Sequence, residues 1–246
     1  MILGKKVLFI GDIHGRTDWE KMIGEALPRF YHIVFLGDYV DSFDIRPVEI
    51  FQNLKKILGY KKKYPDRITL LLGNHDFAYI DEHHQTSGYN FQAAVDYRPF
   101  FLENHEYFDV AWGYTNDKGK YTLATHAGLT LRYYNNYILP LLKDPESLIN
   151  KLSDGRADEL KIHEILNYLR NDKILWKVGS VRGGMGTPGP LWADITELLD
   201  EPYKGINQIV GHTATGTVYM THNDGDFIVK VDGDYGKKTA NILINL

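Results

Sequence analysis

Cysteine is absent from the 246-residue chain. That excludes a disulfide framework, a thiolate metal ligand and a cysteine nucleophile, and leaves the redox compartment unreadable. Any metal ion must sit on His, Asp, Glu, Asn or carbonyl oxygen. Charge of one sign is also missing: 28 Lys and Arg stand against 32 Asp and Glu, a formal net charge of −4. Such a balance supplies no global field for a polyanion and argues against extended nucleic-acid binding, while leaving room for a local cationic site. The apolar runs stay under ten residues, well short of a membrane span. Met1-Ile2-Leu3-Gly4-Lys5-Lys6 leads into a short apolar strand without the long hydrophobic region or small-residue cleavage site of a signal peptide. A soluble, cytoplasmic protein without a membrane partner is expected. The 43% hydrophobic content suits an ordinary globular chain, and at this length one large α/β domain or two small ones could each bury a core.

What is present is alternation. Val7-Leu8-Phe9-Ile10 ends in Gly-Asp; a helical stretch follows from Asp18 to Phe30, with Trp19, Met22, Ile23, Ala26 and Leu27 at spacings of three and four. Ile33-Val34-Phe35-Leu36 again ends in Gly-Asp and precedes a second helical stretch, Pro47 to Tyr64, whose buried face is read as Val48, Ile50, Phe51, Leu54, Ile57 and Leu58. Ile68-Thr69-Leu70-Leu71-Leu72 ends in Gly-Asn. This is βαβαβ with wholly apolar strands, the pattern of a parallel sheet covered on both faces. Residues 77–117 show weak periodicity and are read as helices and loops capping a site; residues 130–175 read as helical. Strands are expected at Tyr121–Thr125, Gln208–Gly211, Thr217–Thr221, Phe227–Val231 and Asn241–Leu246, with hairpin turns at Asn223-Asp224-Gly225 and Asp232-Gly233-Asp234.

Right-handed βαβ crossovers bring the loops after the parallel strands to one edge of the sheet, where open α/β folds bind ligands. Taken alone, an Asp-x-His pair after a strand caps a helix or closes a loop about as often as it binds a metal. Here five strand ends each deliver an oxygen or imidazole donor: Asp12 with His14, then Asp38, Asn74, His126 and His212. Such donors without thiolate suit Mn²⁺, Fe or Zn²⁺. One carboxylate shared between ions would make a two-metal site, the arrangement used for in-line attack on phosphorus.

Gly-Asp-x-His-Gly at 11–15, Gly-Asp-x-x-Asp at 37–41, Gly-Asn-His-Asp at 73–76, His-Ala-Gly at 126–128 and Gly-His-Thr at 211–213 occur in an order that resembles the calcineurin-like metallophosphoesterases. Within them the pattern is similar to the phosphoprotein-phosphatase branch and its bacterial and phage relatives, over residues 7 to about 235. The resemblance implies a single domain over 1–246, a four-layer α/β/β/α sandwich of two mixed sheets, with 77–117 and 130–190 as cap segments. It assigns Asp12 and His14 to a first divalent ion, Asp38 as the bridge, and Asn74, His126 and His212 to a second. Mn²⁺ is the first choice of metal, with Fe or Zn²⁺ as alternatives. His75 would protonate the leaving oxygen and Asp41 would orient it. Gly211-His212-Thr213-Ala214 lacks a further His that some members use as a ligand.

The departures concern phosphate binding. The protein-phosphatase branch carries an Arg after each of its second and third motifs; here those places read Asp41-Ser42-Phe43 and Asp76-Phe77-Ala78. Arg182, in Val181-Arg182-Gly183-Gly184, is the candidate replacement, able to clamp phosphate in bidentate fashion, with Asn74 beside it. Arg46 and Arg16 are further candidates because they sit near the metal loops. Asp76 is read as a structural hydrogen-bond acceptor. The expected activity is hydrolysis of a phosphate monoester by a metal-bridging hydroxide, on a phosphoprotein (phosphoserine or phosphothreonine) or a small phosphate ester. The alternatives are a dinucleoside polyphosphate hydrolase or nucleotide pyrophosphatase, and a non-catalytic scaffold of the same fold.

Overall fold

The alternation is realised in the computed structural model, which describes residues 6–246 except 30, 82, 144–160, 215, 224 and 233–237. β1 (Lys6–Ile10), α1 (Trp19–Ala26), β2 (His32–Phe35), α2 (Pro47–Lys63) and β3 (Ile68–Leu71) follow in order, and the three strands run parallel. Beyond the first residues of β1 and β2 these strands are buried throughout, because successive side chains enter two different apolar layers. Leu8, Ile10, Ile33, Phe35, Ile68 and Leu70 pack under helices. Val7, Phe9, Val34 and Leu71 face a second sheet.

α1 buries Trp19, Ile23 and Ala26, and α2 buries Ile50, Leu54, Ile57 and Leu58, the spacing of one helical face. Val48, expected on that face, is 58% exposed in the first turn of α2. Asn53 is buried instead, its Oδ1 accepting from Trp19 Nε1 at 3.0 Å and its amide donating to the Arg16 carbonyl at 2.8 Å. A polar side chain is tolerated there because both ends of its amide are paired.

α3 (Asn74–Ile80) and α4 (Ala94–Glu103) follow. The helices and loops expected over 77–117 then give way to two strands. β4 (Phe108–Asp109) extends the first sheet parallel to β3, and β5 (Ala111–Thr115) pairs antiparallel with β6 (Tyr121–Thr125) in the second. Their periodicity was faint because β4 has two residues and the burial of β5 fades toward its end. The stretch after β6 breaks into short helical turns, Leu131–Tyr133, Tyr134–Ile138 and Leu139–Lys143, before α5 (Ile162–Tyr168) and α6 (Ile195–Asp200). Residues 144–160 of the expected cap lie outside the described residues. β7 (Asn207–Val210), β8 (Tyr219–Asn223), β9 (Asp226–Lys230) and β10 (Asn241–Asn245) complete the order. β8 and β9 form the expected hairpin, with Asn223 opposite Asp226; Asp224, Gly233 and Asp234 of the expected turns lie outside the described residues.

The first sheet has the order β10-β1-β2-β3-β4 and the second β5-β6-β7-β9-β8. Both are mixed, since β10 is antiparallel to β1 while β6, β7 and β9 are mutually parallel between antiparallel neighbours. Trp112, Ala124, Ile209 and Val229 of the second sheet meet the inner face of the first. Residues of α1, α2 and α4 cover the outer face of one sheet, residues of α5 and α6 that of the other. The four-layer α/β/β/α sandwich expected from the motifs is present. Among the described residues no helix is long and apolar enough to cross a membrane.

Candidate metal centre

The loops leaving β1, β2, β3, β6 and β7 converge. A cavity of about 120 Å³ is lined by Asp12, His14, Asp38, Asn74, His75, Arg182 and His212, among others, and the buried His126 brings a donor atom within 4.8 Å of donors on Asp38 and His212. Among the described residues the non-glycine positions with left-handed backbone are His14 (φ 43°), Asp38 (52°), Asp41 (61°) and His212 (65°). All four are expected site residues, and strain of this kind persists where the surroundings over-determine it. The glycines before Asp38 and Asn74 have a steric role: a Cβ on Gly73 would collide with Asp38 Oδ1, and one on Gly37 with the backbone of Gly73.

Asp76 holds these loops from behind. Its Oδ2 accepts from Asp38 N at 2.7 Å and Gly73 N at 2.9 Å, and its Oδ1 from Tyr39 N at 2.9 Å. This is the structural acceptor the sequence suggested. Burial, with Asp38 nearby, pushes its carboxyl up to about 8. Asp76→Ala leaves three buried N–H groups unpaired, at about 1–3 kcal/mol each; urea unfolding is expected to lose about 3 kcal/mol or more.

Four donor atoms crowd one point. His126 Nε2 lies 3.0 Å from Asn74 Oδ1, 3.1 Å from His212 Nδ1 and 3.3 Å from Asp38 Oδ2, and His212 Nδ1 lies 3.0 Å from Asn74 Oδ1. Tetrahedral ligands at ordinary metal–N and metal–O lengths would be roughly 3.3–3.5 Å apart. His126 Nδ1 is committed to the Leu36 carbonyl at 2.8 Å, so its Nε2 faces the cluster. Burial and then the positive charges of His126 and Arg182 push His212 well below the ordinary histidine value, which keeps it a neutral donor. Burial acts to lower His126 as well, yet the Asp38 carboxylate, joined by Asp12 and the Leu36 carbonyl, carries His126 up to about 9. Two imidazoles, an amide oxygen and a carboxylate at these separations are a donor set that suits a divalent ion.

A second group shares Asp38. One donor atom each of His14, Asp38 and His75 lies within 4.8 Å of the others; His14 Nε2 is 3.7 Å from Asp38 Oδ2. His14 Nδ1 is taken by the carbonyls of Val40 at 2.9 Å and Asp41 at 2.8 Å, which turns Nε2 inward. Burial would raise the Asp38 carboxyl, but His126, His75 and His14 around it hold it well below the usual carboxylate range. Asp12 lines the same cavity without joining either donor group; its Oδ1 accepts from His212 N at 3.1 Å, and burial raises its carboxyl.

His75 and Asp41 form the expected pair, Nδ1 to Oδ2 at 2.8 Å. The pairing rests on two residues that the sequence reading missed. Tyr79 donates its hydroxyl to Asp41 Oδ1 at 2.5 Å and Thr86 donates to Oδ2 at 3.3 Å. Tyr79 could have been found, because it stands four residues after His75 in α3 and shares its face; nothing in the sequence marks Thr86. Arg182 does reach the cavity. Its Nη2 donates to Asp194 Oδ2 at 3.0 Å and Thr213 Oγ1 at 3.3 Å, with the side chain 31% exposed. Arg46 is a correction: it is 76% exposed and folds onto Glu49 Oε1 at 2.6 Å, three residues into α2, away from the cavity lining. Arg16 is likewise turned to Asp44, at 2.6 and 2.8 Å. A larger groove of about 840 Å³, against Ile80, Arg98 and Lys173, contains none of the expected site residues.

Comparison with known proteins gives three findings. The family model for calcineurin-like phosphoesterases matches residues 5–216. The serine/threonine-protein phosphatase 4 catalytic subunits of Eremothecium gossypii and Saccharomyces cerevisiae are 43% and 41% identical over 75 residues, each covering 28% of this chain and 22% of the relative. The chain thus spans about a fifth of the length of the curated relatives it matches. A solved protein serine/threonine phosphatase from Saccharomyces cerevisiae, with similarity to human phosphatase PP5, aligns at 18% identity and TM-score 0.47, over 95% of this chain and 69% of that one. These relatives are fungal, so the expected bacterial and phage side of the branch is not borne out.

Proposed function

The chain belongs to the calcineurin-like phosphoesterase family, and from that premise we propose that it hydrolyses phosphate monoesters, its substrates being phosphoserine or phosphothreonine side chains of proteins. The observation that carries the reading is the group of four donors formed by His126 Nε2 and three others, from Asn74, His212 and Asp38, each within 3.3 Å of it. Asp12, His14 and Asp38 would hold one divalent ion, and Asp38, Asn74, His126 and His212 the other, with Mn²⁺ proposed ahead of Fe and Zn²⁺. When bound, such a pair supplies a hydroxide nucleophile near neutral pH and positive charge for the phosphoryl oxygens.

The remaining work falls to the chain's own residues. With Nδ1 held by Asp41, His75 presents Nε2 as the proton donor to the leaving oxygen. Tyr79 and Thr86 fix Asp41 and so fix the ring. Arg182, steadied by Asp194 and Thr213, is proposed to bind phosphate oxygens together with Asn74. A charged hydrogen bond is worth about 1.5–3 kcal/mol. Arg182→Ala is therefore expected to lower kcat/KM by roughly 10- to 100-fold without changing metal content; an unchanged value would return Arg182 to an ordinary loop residue.

The deciding experiment is metal analysis coupled to a phosphate-release screen. The expected result is about two metal equivalents and Mn²⁺-dependent release of phosphate from p-nitrophenyl phosphate and phosphopeptides. Preference for diadenosine tetraphosphate, with nucleotides as products, would replace the phosphomonoesterase by a pyrophosphatase. Metal without turnover would leave a scaffold, and absence of bound metal would overturn the reading of the five loops.

A further inference from the structure

We propose that two copies of this chain associate about a two-fold axis by pairing β10 with β10, joining two five-stranded sheets into one of ten strands. Among the described residues β10 is the outer strand of the first sheet. Outer strands that must stay single are blunted by Lys, Pro, bulges or inward charge. β10 has none of these: it reads Asn241-Ile242-Leu243-Ile244-Asn245, uncharged throughout.

That sequence is a palindrome. Antiparallel self-pairing about Leu243 sets Leu243 against Leu243, Ile242 against Ile244 and Asn241 against Asn245, so each side chain meets its own kind. Such self-complementarity is what an interface between identical surfaces requires, and apolar cross-strand pairs add to the backbone hydrogen bonds. Leu243 is 47% exposed and pairs with Leu8 of β1. It forms one side of a cleft of about 450 Å³ that also takes in Met22 and Ala26 of α1, a place for the second copy's Leu243.

α1 and the residues flanking it carry an independent sign of the same symmetry. The charged residues along the cleft are Asp18, Lys21, Glu25 and Arg29, all exposed, in the order minus, plus, minus, plus. The axis that reverses β10 also reverses α1, and a stripe of that order laid against its own reverse puts acid on base at every place. A strand from an unrelated protein would call for neither the palindrome nor the alternating stripe. The cleft shares no residue with the metal cavity, so pairing leaves the cavity open.

Sedimentation velocity on the full chain tests this. The expected result is a concentration-dependent species of twice the 28.3 kDa chain mass. Leu243→Lys sets two like charges face to face on the axis and is expected to leave monomer at every concentration, with phosphatase turnover unchanged. Lys21→Glu and Glu25→Lys are each expected to weaken association about tenfold, and the double exchange to restore it, because acid still meets base after reversal. The restoring pair lies on an exposed helix face and does not depend on the strand variant folding. Wild type that stays monomeric throughout, a dimer that survives Leu243→Lys, or a double exchange that fails to recover would each overturn the proposal.

Discussion

Replacing Asp38 by Asn is expected to drop bound metal from about two equivalents to less than one and to cut kcat/KM by about 10³-fold or more. Asp38 is the residue common to both donor groups. Its Oδ2 lies 3.3 Å from His126 Nε2 and 3.7 Å from His14 Nε2, while its Oδ1 accepts the His75 N–H at 3.0 Å. Asparagine keeps the shape and an acceptor for His75 but removes the negative charge that offsets two dications. The loops should persist, because Asp76 binds the backbone N–H of residue 38 rather than its side chain. Metal analysis and turnover read both parts of the result. Full metal content with near-normal turnover would remove Asp38 from the bridging position.

The second large effect concerns His75. His75→Asn is expected to lower kcat by about 10²- to 10⁴-fold, the ordinary worth of a positioned general acid, while metal content stays intact. The size should depend on the leaving group. A phosphoserine alkoxide needs the proton more than p-nitrophenolate does, so the loss on a phosphopeptide should exceed that on p-nitrophenyl phosphate. A purely structural role for the ring would depress both substrates alike. Asp41→Asn should show the same leaving-group pattern in weaker form, because Asp41 acts through His75.

Much of this site could be read before any fold was known, for a physical reason. After β1, β2 and β3 the donor follows an apolar run and a glycine, so strand end, tight turn and candidate metal ligand are contiguous in the chain. Asp38 and Asn74 show why the glycine belongs to the signal: the loops touch where a Cβ would collide. Orientation is different. Arg46 sits close in sequence to Asp41, yet the first turn of α2 carries it to Glu49; Arg182, far in sequence, is delivered to the cavity by packing against Asp194 and Thr213. Thr86 was illegible because its partner is 45 residues away on another loop. Short strands fared likewise: β4 exists because β3 offers it a parallel edge, and two residues cannot display a period.

The three N–H groups gathered by Asp76 also bear on the order of assembly. They tie the loop of Asp38 to the turn before Asn74 through protein atoms alone, a link expected to stand whether or not metal is bound. Chelation and reloading are then expected to be a cycle on a standing framework, with the fold kept and turnover lost and regained.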